Sequence, residues 1–320
     1  MIIHFIQSGV LALLFFASLT ALFSTLLYRV VGRKLTSLPC QIRSKVLTIW
    51  LLSPIFIAVA LSLSGVLFSW MENHEMATEH CISHNNSMAH LCWFDPVVHI
   101  SDYLWIGGMC LMALVIVFNA YKGINLLLKQ WRFQHTLRAL SEQQENNVFR
   151  IASEHFFVFS SGLFSPQAYI SSQLLEQLSA EELDVVLAHE QAHCQRRDVL
   201  RRLLLGFAGL FHLPTTRQHL LNDLELAHEQ ICDNAAVQKV ANRLLVAETI
   251  IKVARQLQLL RPHSGMGIAS FDGSHIDIRI QQLLEQPKPA NVYILFFSTV
   301  ILSLIMCSAL MLTMPLHHLL

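Results

Sequence analysis

The stretch Val186-Leu187-Ala188-His189-Glu190-Gln191-Ala192-His193 carries an HExxH motif inside a helical pattern of apolar residues. His189 and His193 lie one helical turn apart, so both imidazoles leave the same face of the helix and can bind a single Zn²⁺. Glu190 lies beside them and suits the general base of a metal-assisted hydrolysis. The motif therefore predicts two metal ligands and one catalytic carboxylate.

A helix start precedes the motif. Ser179 can cap the helix, and Glu181 and Glu182 place acids in its first turn. Arg196 and Arg197 place positive charge at the opposite end, which suits the helix dipole. We therefore expect the motif to lie within one continuous helix.

A catalytic zinc site normally has three protein ligands and one open position. Further along the chain, Glu229 and Asp233 form an ExxxD pair on one face of a second helical stretch, Leu224–Asp233. We expect Glu229 to be the third ligand and Asp233 to accept the free ring N–H of a ligand histidine. Glu225 and His228 are competing third ligands, but neither has an aspartate four residues later.

The composition separates this chain from ordinary soluble domains, because 53% of its residues are hydrophobic and 14% are charged. Four apolar runs are each long enough to cross the hydrocarbon of a bilayer, which takes a helix of about 20 residues. They are residues 2–27, 46–70, 103–121 and 291–313. The first run lacks the basic region of a cleavable signal peptide, so we expect a retained anchor.

Charged residues in the loops predict the direction of these spans. The loop after the first span carries cations and no acid, loop 71–102 carries acids without Lys or Arg, and cations return after the third span. Under the positive-inside rule, the N-terminus and loop 71–102 lie outside and the HExxH region lies in the cytoplasm. We therefore predict a multi-pass protein of the cell (inner) membrane. Its formal net charge of +0 argues against direct binding of nucleic acid.

Loop 71–102 is rich in histidine and holds two cysteines. A disulfide between Cys81 and Cys92 could persist outside the cell, whereas Cys194 and Cys232 adjoin the metal motifs and are expected as small buried residues. The loop histidines suit metal binding or pH sensing, with a flexible polar loop as the alternative. They are His74, His80, His84, His90 and His99.

Short β-rich runs at Val148–Ile151 and His155–Phe159 precede the metal motifs and predict a small sheet. An edge strand beside the metal helix can pair with an extended substrate. Phe157, Val158 and Phe159 are therefore the candidate substrate-binding residues. Core packing is the alternative role for the phenylalanine side chains.

Helical patterns account for the rest of this region. Residues 122–145 extend the third span into the cytoplasm, a long helix is expected from about Asn222 to Leu260, and a short one lies around residues 279–284. Val199–Leu213 is apolar with two arginines near its start and is too short for a confident span. We expect it to be a helix in the membrane interface, which would hold the active site close to the bilayer.

Three spans are followed by Gly162-Leu163-Phe164-Ser165-Pro166, by the HExxH motif with Arg197-Asp198, by Glu229 to Asp233, and by a fourth span. This order resembles the BlaR/MecR family of integral-membrane zinc metallopeptidases. The resemblance covers nearly the whole chain, and its order and spacing are far more specific than HExxH alone.

The resemblance implies a mainly α, multi-pass protein with four transmembrane helices and a cytoplasmic, gluzincin-like α+β zinc metallopeptidase domain. It implies one Zn²⁺ per chain with three ligands, one catalytic acid/base and two supporting acids. The ligands would be His189, His193 and Glu229. The catalytic acid/base would be Glu190, and the supporting acids Asp198 and Asp233. In the best-known members an outer sensor domain detects a β-lactam, and the activated zinc domain inactivates a dimeric winged-helix repressor by proteolysis.

This sequence departs from those sensors after the fourth span, where only Pro315 to Leu320 remain. We therefore expect no penicillin-binding domain and three units: residues 1–128 with three spans, a peptidase domain at 129–290, and residues 291–320 with the fourth span and a short outer tail. The expected function is a membrane-embedded zinc endopeptidase. Its substrate is expected to be a cytoplasmic protein or peptide, such as a winged-helix repressor in a signalling pathway.

Two other functions fit parts of the sequence. An HtpX-like membrane quality-control protease shares HExxH and ExxxD, although its spans are arranged differently around the motif. A non-proteolytic membrane receptor, with zinc structural or absent, would have no need of Glu190 as a general base.

Overall fold

The computed structural model describes residues 2–73, 102–143, 148–258, 269–270 and 275–285, and these are mainly helical with one small sheet. The helices are α1 (Ile2–Leu35), α2 (Cys40–Asn73), α3 (Asp102–Leu140), α4 (Ser172–Gln177), α5 (Ala180–Arg196), α6 (Asp198–Ala208), α7 (Pro214–Val240), α8 (Arg243–Gln258) and α9 (Ile276–Leu284). The strands are β1 (Ser141–Gln143), β2 (Val148–Ile151), β3 (Val158–Ser161), β4 (Gln167–Ser171) and β5 (Ala269–Ser270).

The sheet has the strand order β1-β2-β4-β3-β5, in which only β2 and β4 run parallel. The strand expected at His155–Phe159 begins later, at Val158, and the helix expected to reach residue 145 ends at Leu140. Gly162 starts the turn between β3 and β4 with φ +118. A Cβ atom there would lie 2.5 Å from Gln134 Nε2, so the turn requires glycine.

One helix of the described residues is long and apolar enough to cross a membrane, Cys40–Leu63 within α2. A shorter apolar helix, Phe16–Gly32, lies within α1, which packs along α2. The first and third predicted spans fall on α1 and α3. The fourth predicted span lies outside the described residues, as does most of loop 71–102 with its histidines and cysteines.

Helix α5 carries the HExxH motif and has strong signals at both ends. The Ser179 side chain accepts a hydrogen bond from the Glu182 backbone N–H, and the Glu182 side chain accepts one from the Ser179 N–H, which forms a capping box. At the other end Arg197 adopts the left-handed conformation with φ 53. The chain turns there directly into α6, so the first residue of α6 lies close to the end of the metal helix.

The single helix expected from Asn222 to Leu260 is wrong. Helix α7 begins at Pro214, whose missing N–H is not needed in a first helical turn. It ends where Ala241 adopts a left-handed conformation with φ 57. The Asn242 side chain then accepts a hydrogen bond from the Leu245 N–H at 3.1 Å and caps α8.

Two hydrophobic clusters meet on α7. One joins the sheet to α5, α8 and α9 and includes Val158, Val186, Ala236, Ile250 and Leu283. The other joins α1 and α2 to α6 and α7 and includes Leu47, Leu51, Leu205, Leu220 and Leu224. The apolar helices α1 and α2 and the HExxH helix therefore pack on the same helix, α7.

Candidate metal centre

Helices α5 and α7 bring three ligand atoms of different residues into one buried triangle. His189 Nε2 lies 3.1 Å from His193 Nε2 and 3.4 Å from Glu229 Oε2. The third side, from His193 Nε2 to Glu229 Oε1, is 3.5 Å. Both histidines are buried, and 15% of the Glu229 side chain is exposed. The three residues are therefore placed to share one metal ion.

A carboxylate holds the other ring nitrogen of each histidine. Asp233 Oδ1 lies 3.0 Å from His189 Nδ1, and Asp198 Oδ2 lies 2.9 Å from His193 Nδ1. An ionised carboxylate can only accept a hydrogen bond, so each Nδ1 carries the hydrogen. In a neutral imidazole this leaves the Nε2 lone pair directed at the centre of the triangle, which is the arrangement that supporting acids give metal ligands.

Arg279 on α9 contacts the candidate metal centre, and the sequence did not single it out. Its guanidinium donates two hydrogen bonds to Asp233, at 2.8 and 2.6 Å, and lies 3.0 Å from Glu229 Oε2. Its side chain is fully buried. One signal was available: Arg279 shares a helix face with Ile276, Ile280 and Leu283, where an amphipathic helix normally carries apolar residues.

Glu190 is buried beside the two histidines, with 1% of its surface exposed. Among the residues that the structure describes, its Oε2 atom has no hydrogen-bond partner. A buried carboxylate oxygen that is not used for structure suits a group that takes a proton from a reacting water.

Residues 12–283 match the family described as BlaR1 peptidase M56. The chain belongs to this family. The comparison with curated proteins found no match. Membership confirms the resemblance found in the sequence, and it supports a membrane-associated peptidase of the BlaR1 type with a metal cofactor.

The electrostatics of the triangle favour a cation, as a metal site of a BlaR1-type peptidase requires. Burial alone would lower the pKa of His189, but the hydrogen bonds and charges of Asp233 and Glu229 raise it to about 9. Burial would raise the pKa of Glu229, but Arg279 and the two histidines hold it well below its usual range. A metal ion therefore competes with a proton for the same lone pair of His189.

The two competing third ligands point elsewhere. The Glu225 carboxylate pairs with Arg202 at 2.7 Å. His228 Nε2 lies 3.1 Å from Ser44 Oγ on α2, and burial lowers the pKa of His228 to about 4. The structure thus brings Glu229, and neither of these residues, into the triangle with the two histidines.

The cysteines near the motifs are poor ligands. Cys232 lies close enough to His193 and Asp198 to form a second group of potential ligands. Burial, however, raises the pKa of its thiol well above the ordinary value, and it also raises the pKa of Cys194 to about 12. Thiols that stay protonated behave as small apolar side chains. Cys232 is buried, as expected from the sequence, whereas Cys194 is only partly buried.

The predicted substrate strand is not a free edge in the structure. Val158 and Phe159 are buried, and Phe159 stacks on Tyr169, so these side chains pack in the core. The outer side of β3 pairs with β5 at Phe159 and Ser160. Phe157 precedes the strand, and its carbonyl accepts a hydrogen bond from the Ser171 N–H at 3.1 Å. Substrate pairing along this strand stays a prediction, and it requires β5 to leave.

Proposed function

We propose that this member of the BlaR1 peptidase M56 family is a zinc-dependent endopeptidase that cuts a cytoplasmic protein at the membrane. The observation that carries the proposal is the triangle formed by His189, His193 and Glu229, whose sides are 3.1, 3.4 and 3.5 Å. Tetrahedral zinc with bonds of about 2.0–2.1 Å requires donor atoms about 3.3–3.4 Å apart. Two imidazoles and one carboxylate are also a usual set of ligands for catalytic zinc, with one position left open.

A zinc ion bound there would supply Lewis acidity, which polarises the scissile carbonyl and makes water easier to deprotonate. Glu190 is the proposed general acid/base, which takes the proton of the attacking water and returns it to the leaving amine. Burial raises the pKa of Glu190, which makes its carboxylate a stronger base towards the attacking water. Asp198 and Asp233 orient the two imidazoles through their Nδ1–H groups.

The proposed topology places the N-terminus outside the inner membrane and the peptidase domain, residues 129–290, in the cytoplasm. Three spans within residues 1–128 and a fourth within 291–320 complete it. The candidate span Cys40–Leu63 and the cationic loop before it support this orientation. The resemblance to BlaR/MecR proteins makes a winged-helix repressor the first candidate substrate, cut in response to an outside signal.

A matched pair of variants tests the chemistry. Glu190→Gln keeps the size of the side chain but removes the base, so turnover should fall by a factor of about 10²–10⁴ while zinc content stays near that of wild type. Glu181→Gln makes the same change at an exposed position of α5 and should leave turnover and zinc content unchanged. The measurements are zinc per chain of detergent-purified protein, its self-cleavage, and its hydrolysis of candidate repressors and of an internally quenched peptide library.

Each outcome has a distinct meaning. A wild-type protein that binds no zinc would refute the metal assignment. Zinc-loaded protein that is equally active with Glu190→Gln would refute the role of Glu190. Zinc binding without cleavage of any peptide or protein would favour the alternative function of a non-proteolytic receptor.

A further inference from the structure

Helix α6 is followed directly by a 3₁₀ turn, Gly209–Phe211. We call residues Asp198–Leu213, which contain both, the α6 segment. An apolar stripe runs along it. Leu204, Phe207 and Phe211 are spaced three and four residues apart and are 57%, 37% and 44% exposed. The opposite face, with Leu205 and Ala208, is buried against the protein. The segment is therefore apolar on both faces, whereas a surface helix of a soluble domain is polar on its outer face.

Two contacts define the depth of the end of this segment. His212 Nδ1 lies 3.2 Å from Ser24 Oγ on α1, and His212 Nε2 lies 3.3 Å from the Leu51 carbonyl oxygen on α2. Ser24 is five residues before Arg29, and Leu51 is six residues after Lys45. At a rise of 1.5 Å per residue, both helices place His212 about 7–9 Å deeper in the membrane than Arg29 and Lys45, the cations that flank their apolar runs.

A third helix gives the depth of the middle of the segment. The ring of Phe207 packs against Gly123 on α3, where an added Cβ atom would lie 3.1 Å from Phe207 Cζ. Gly123 follows Lys122, the first cation after the third predicted span. Phe207 therefore lies near the level of the flanking cations, and the segment descends from there towards His212.

The start of the segment carries positive charge. Arg201 and Arg202 are exposed, and Arg202 pairs with the partly exposed Glu225 at 2.7 Å. Cations near the headgroups, followed by Leu and Phe side chains at the acyl boundary, are the features of a helix in the membrane interface, where apolar side chains lie about 5–10 Å deep. The depth obtained from α1 and α2 falls in this range.

We propose that the α6 segment lies in the cytoplasmic leaflet, with lipid acyl chains covering Leu204, Phe207, Leu210 and Phe211 and anionic headgroups facing Arg201. This inference rests on the membrane topology given under Proposed function. The first residue of the α6 segment, Asp198, accepts the hydrogen bond from His193, so the lipid-facing helix begins at a supporting acid of the metal centre. The metal centre is thereby held close to the bilayer.

The test measures contact with lipid at three positions of the full chain. A single environment-sensitive fluorescent amino acid replaces Leu204, Leu244 or Phe56, and each protein is reconstituted in vesicles of phosphatidylcholine and phosphatidylglycerol with or without bromine on the acyl chains. Leu244 on α8 is the matched control, since it is 58% exposed and α8 packs against α5, α7 and α9. Phe56, which is 66% exposed on α2, reports on the span itself.

The expected result is that the Leu204 and Phe56 reporters lose most of their fluorescence in brominated vesicles, and the Leu244 reporter loses none. Bromine near the headgroup end of the chain should quench the Leu204 reporter more than bromine near the terminal methyl group. Quenching at Phe56 combined with equal, unquenched emission at Leu204 and Leu244 would overturn the inference and leave a protein surface as the occupant of the stripe. An unquenched Phe56 reporter would instead refute the membrane topology itself.

The headgroup contact has its own control. In the Leu204 reporter protein, emission should shift to the blue when phosphatidylglycerol is added to phosphatidylcholine vesicles, and Arg201→Gln should reduce this shift. A shift that is absent, or that is the same in Arg201→Gln, would overturn the assignment of anionic headgroups to this arginine.

Discussion

Asp198 offers the sharpest test of how the metal centre is supported. Its carboxylate accepts the Nδ1–H of His193 at 2.9 Å and the Arg196 Nε–H at 3.2 Å. Burial would raise the pKa of Asp198, but these partners lower it below its usual value, so the group is ionised at neutral pH. Asp198→Asn keeps an acceptor for His193 and removes only the charge, whereas Asp198→Ala removes both.

The structure allows the two losses of zinc affinity to be estimated. A hydrogen bond to a charged group is worth about 1.5–3 kcal/mol and a neutral one about 0.5–1.5 kcal/mol, so Asp198→Asn should cost about 1–1.5 kcal/mol, or roughly tenfold in affinity. Asp198→Ala leaves a buried Nδ1–H without its acceptor and should approach 3 kcal/mol, or about 100-fold.

The assay is competition for zinc between the detergent-solubilised protein and a chelating dye. Asp184→Asn serves as the control, because it makes the same chemical change on the exposed face of α5 and should leave the affinity unchanged. Thermal unfolding of each metal-free variant checks that the fold is retained. Wild-type affinity in both Asp198 variants, or an equal loss in Asp184→Asn, would refute the argument that this carboxylate orients His193.

Three further predictions concern stability. Arg279→Met leaves the buried Asp233 and the largely buried Glu229 without their cation, and it should lower the free energy of unfolding by about 3–5 kcal/mol in urea titrations. Arg279→Lys should recover only part of this stability, because an ammonium group cannot form the two-pronged contact. The hydrogen bond from Lys252 lowers the pKa of Glu182, so this pair stabilises the fold above about pH 4.3 and loses its effect as the pH falls through the lowered value. Lys252→Met should thus cost at most about 1 kcal/mol at neutral pH, and unfolding midpoints of the two proteins should converge in acid; a constant difference would contradict this. Gly162→Ala forces a side chain into a left-handed turn and should cost about 1–3 kcal/mol by thermal unfolding, whereas no loss would contradict the strain argument.

The sequence was most informative where local rules and chemistry agree. The capping signals around Ser179 predicted the helix that carries HExxH, and the i, i+4 spacing predicted that His189 and His193 share one face. The choice of Glu229 over Glu225 followed from Asp233, which the structure places on His189. These inferences depend on contacts within one helix or between two recognisable motifs, so little tertiary information was needed.

What the sequence missed depends on contacts distant along the chain. The break at Ala241 follows from a left-handed residue that carries no glycine signal. The pairing of β3 with Ala269–Ser270 joins segments about a hundred residues apart, and two residues are too short to predict as a strand. Arg279 lies on an apolar helix face, and only the folded chain brings it to Asp233.

Charge balance explains why that arginine belongs to the centre. Glu229, Asp233 and Asp198 bring three buried or nearly buried negative charges around two histidines. Arg279 offsets one of these negative charges on the side of Glu229 and Asp233, and Arg196 offsets the negative charge of Asp198.

One negative charge then remains, and a proton on His189, whose pKa is raised to about 9, balances it when no metal is bound. A divalent cation that displaced this proton would leave one positive charge in excess. That excess would favour the ionised form of Glu190, whose pKa is raised by burial. Metal binding would therefore be linked to the activation of the proposed base through the same set of buried charges, to which Arg279 contributes one positive charge.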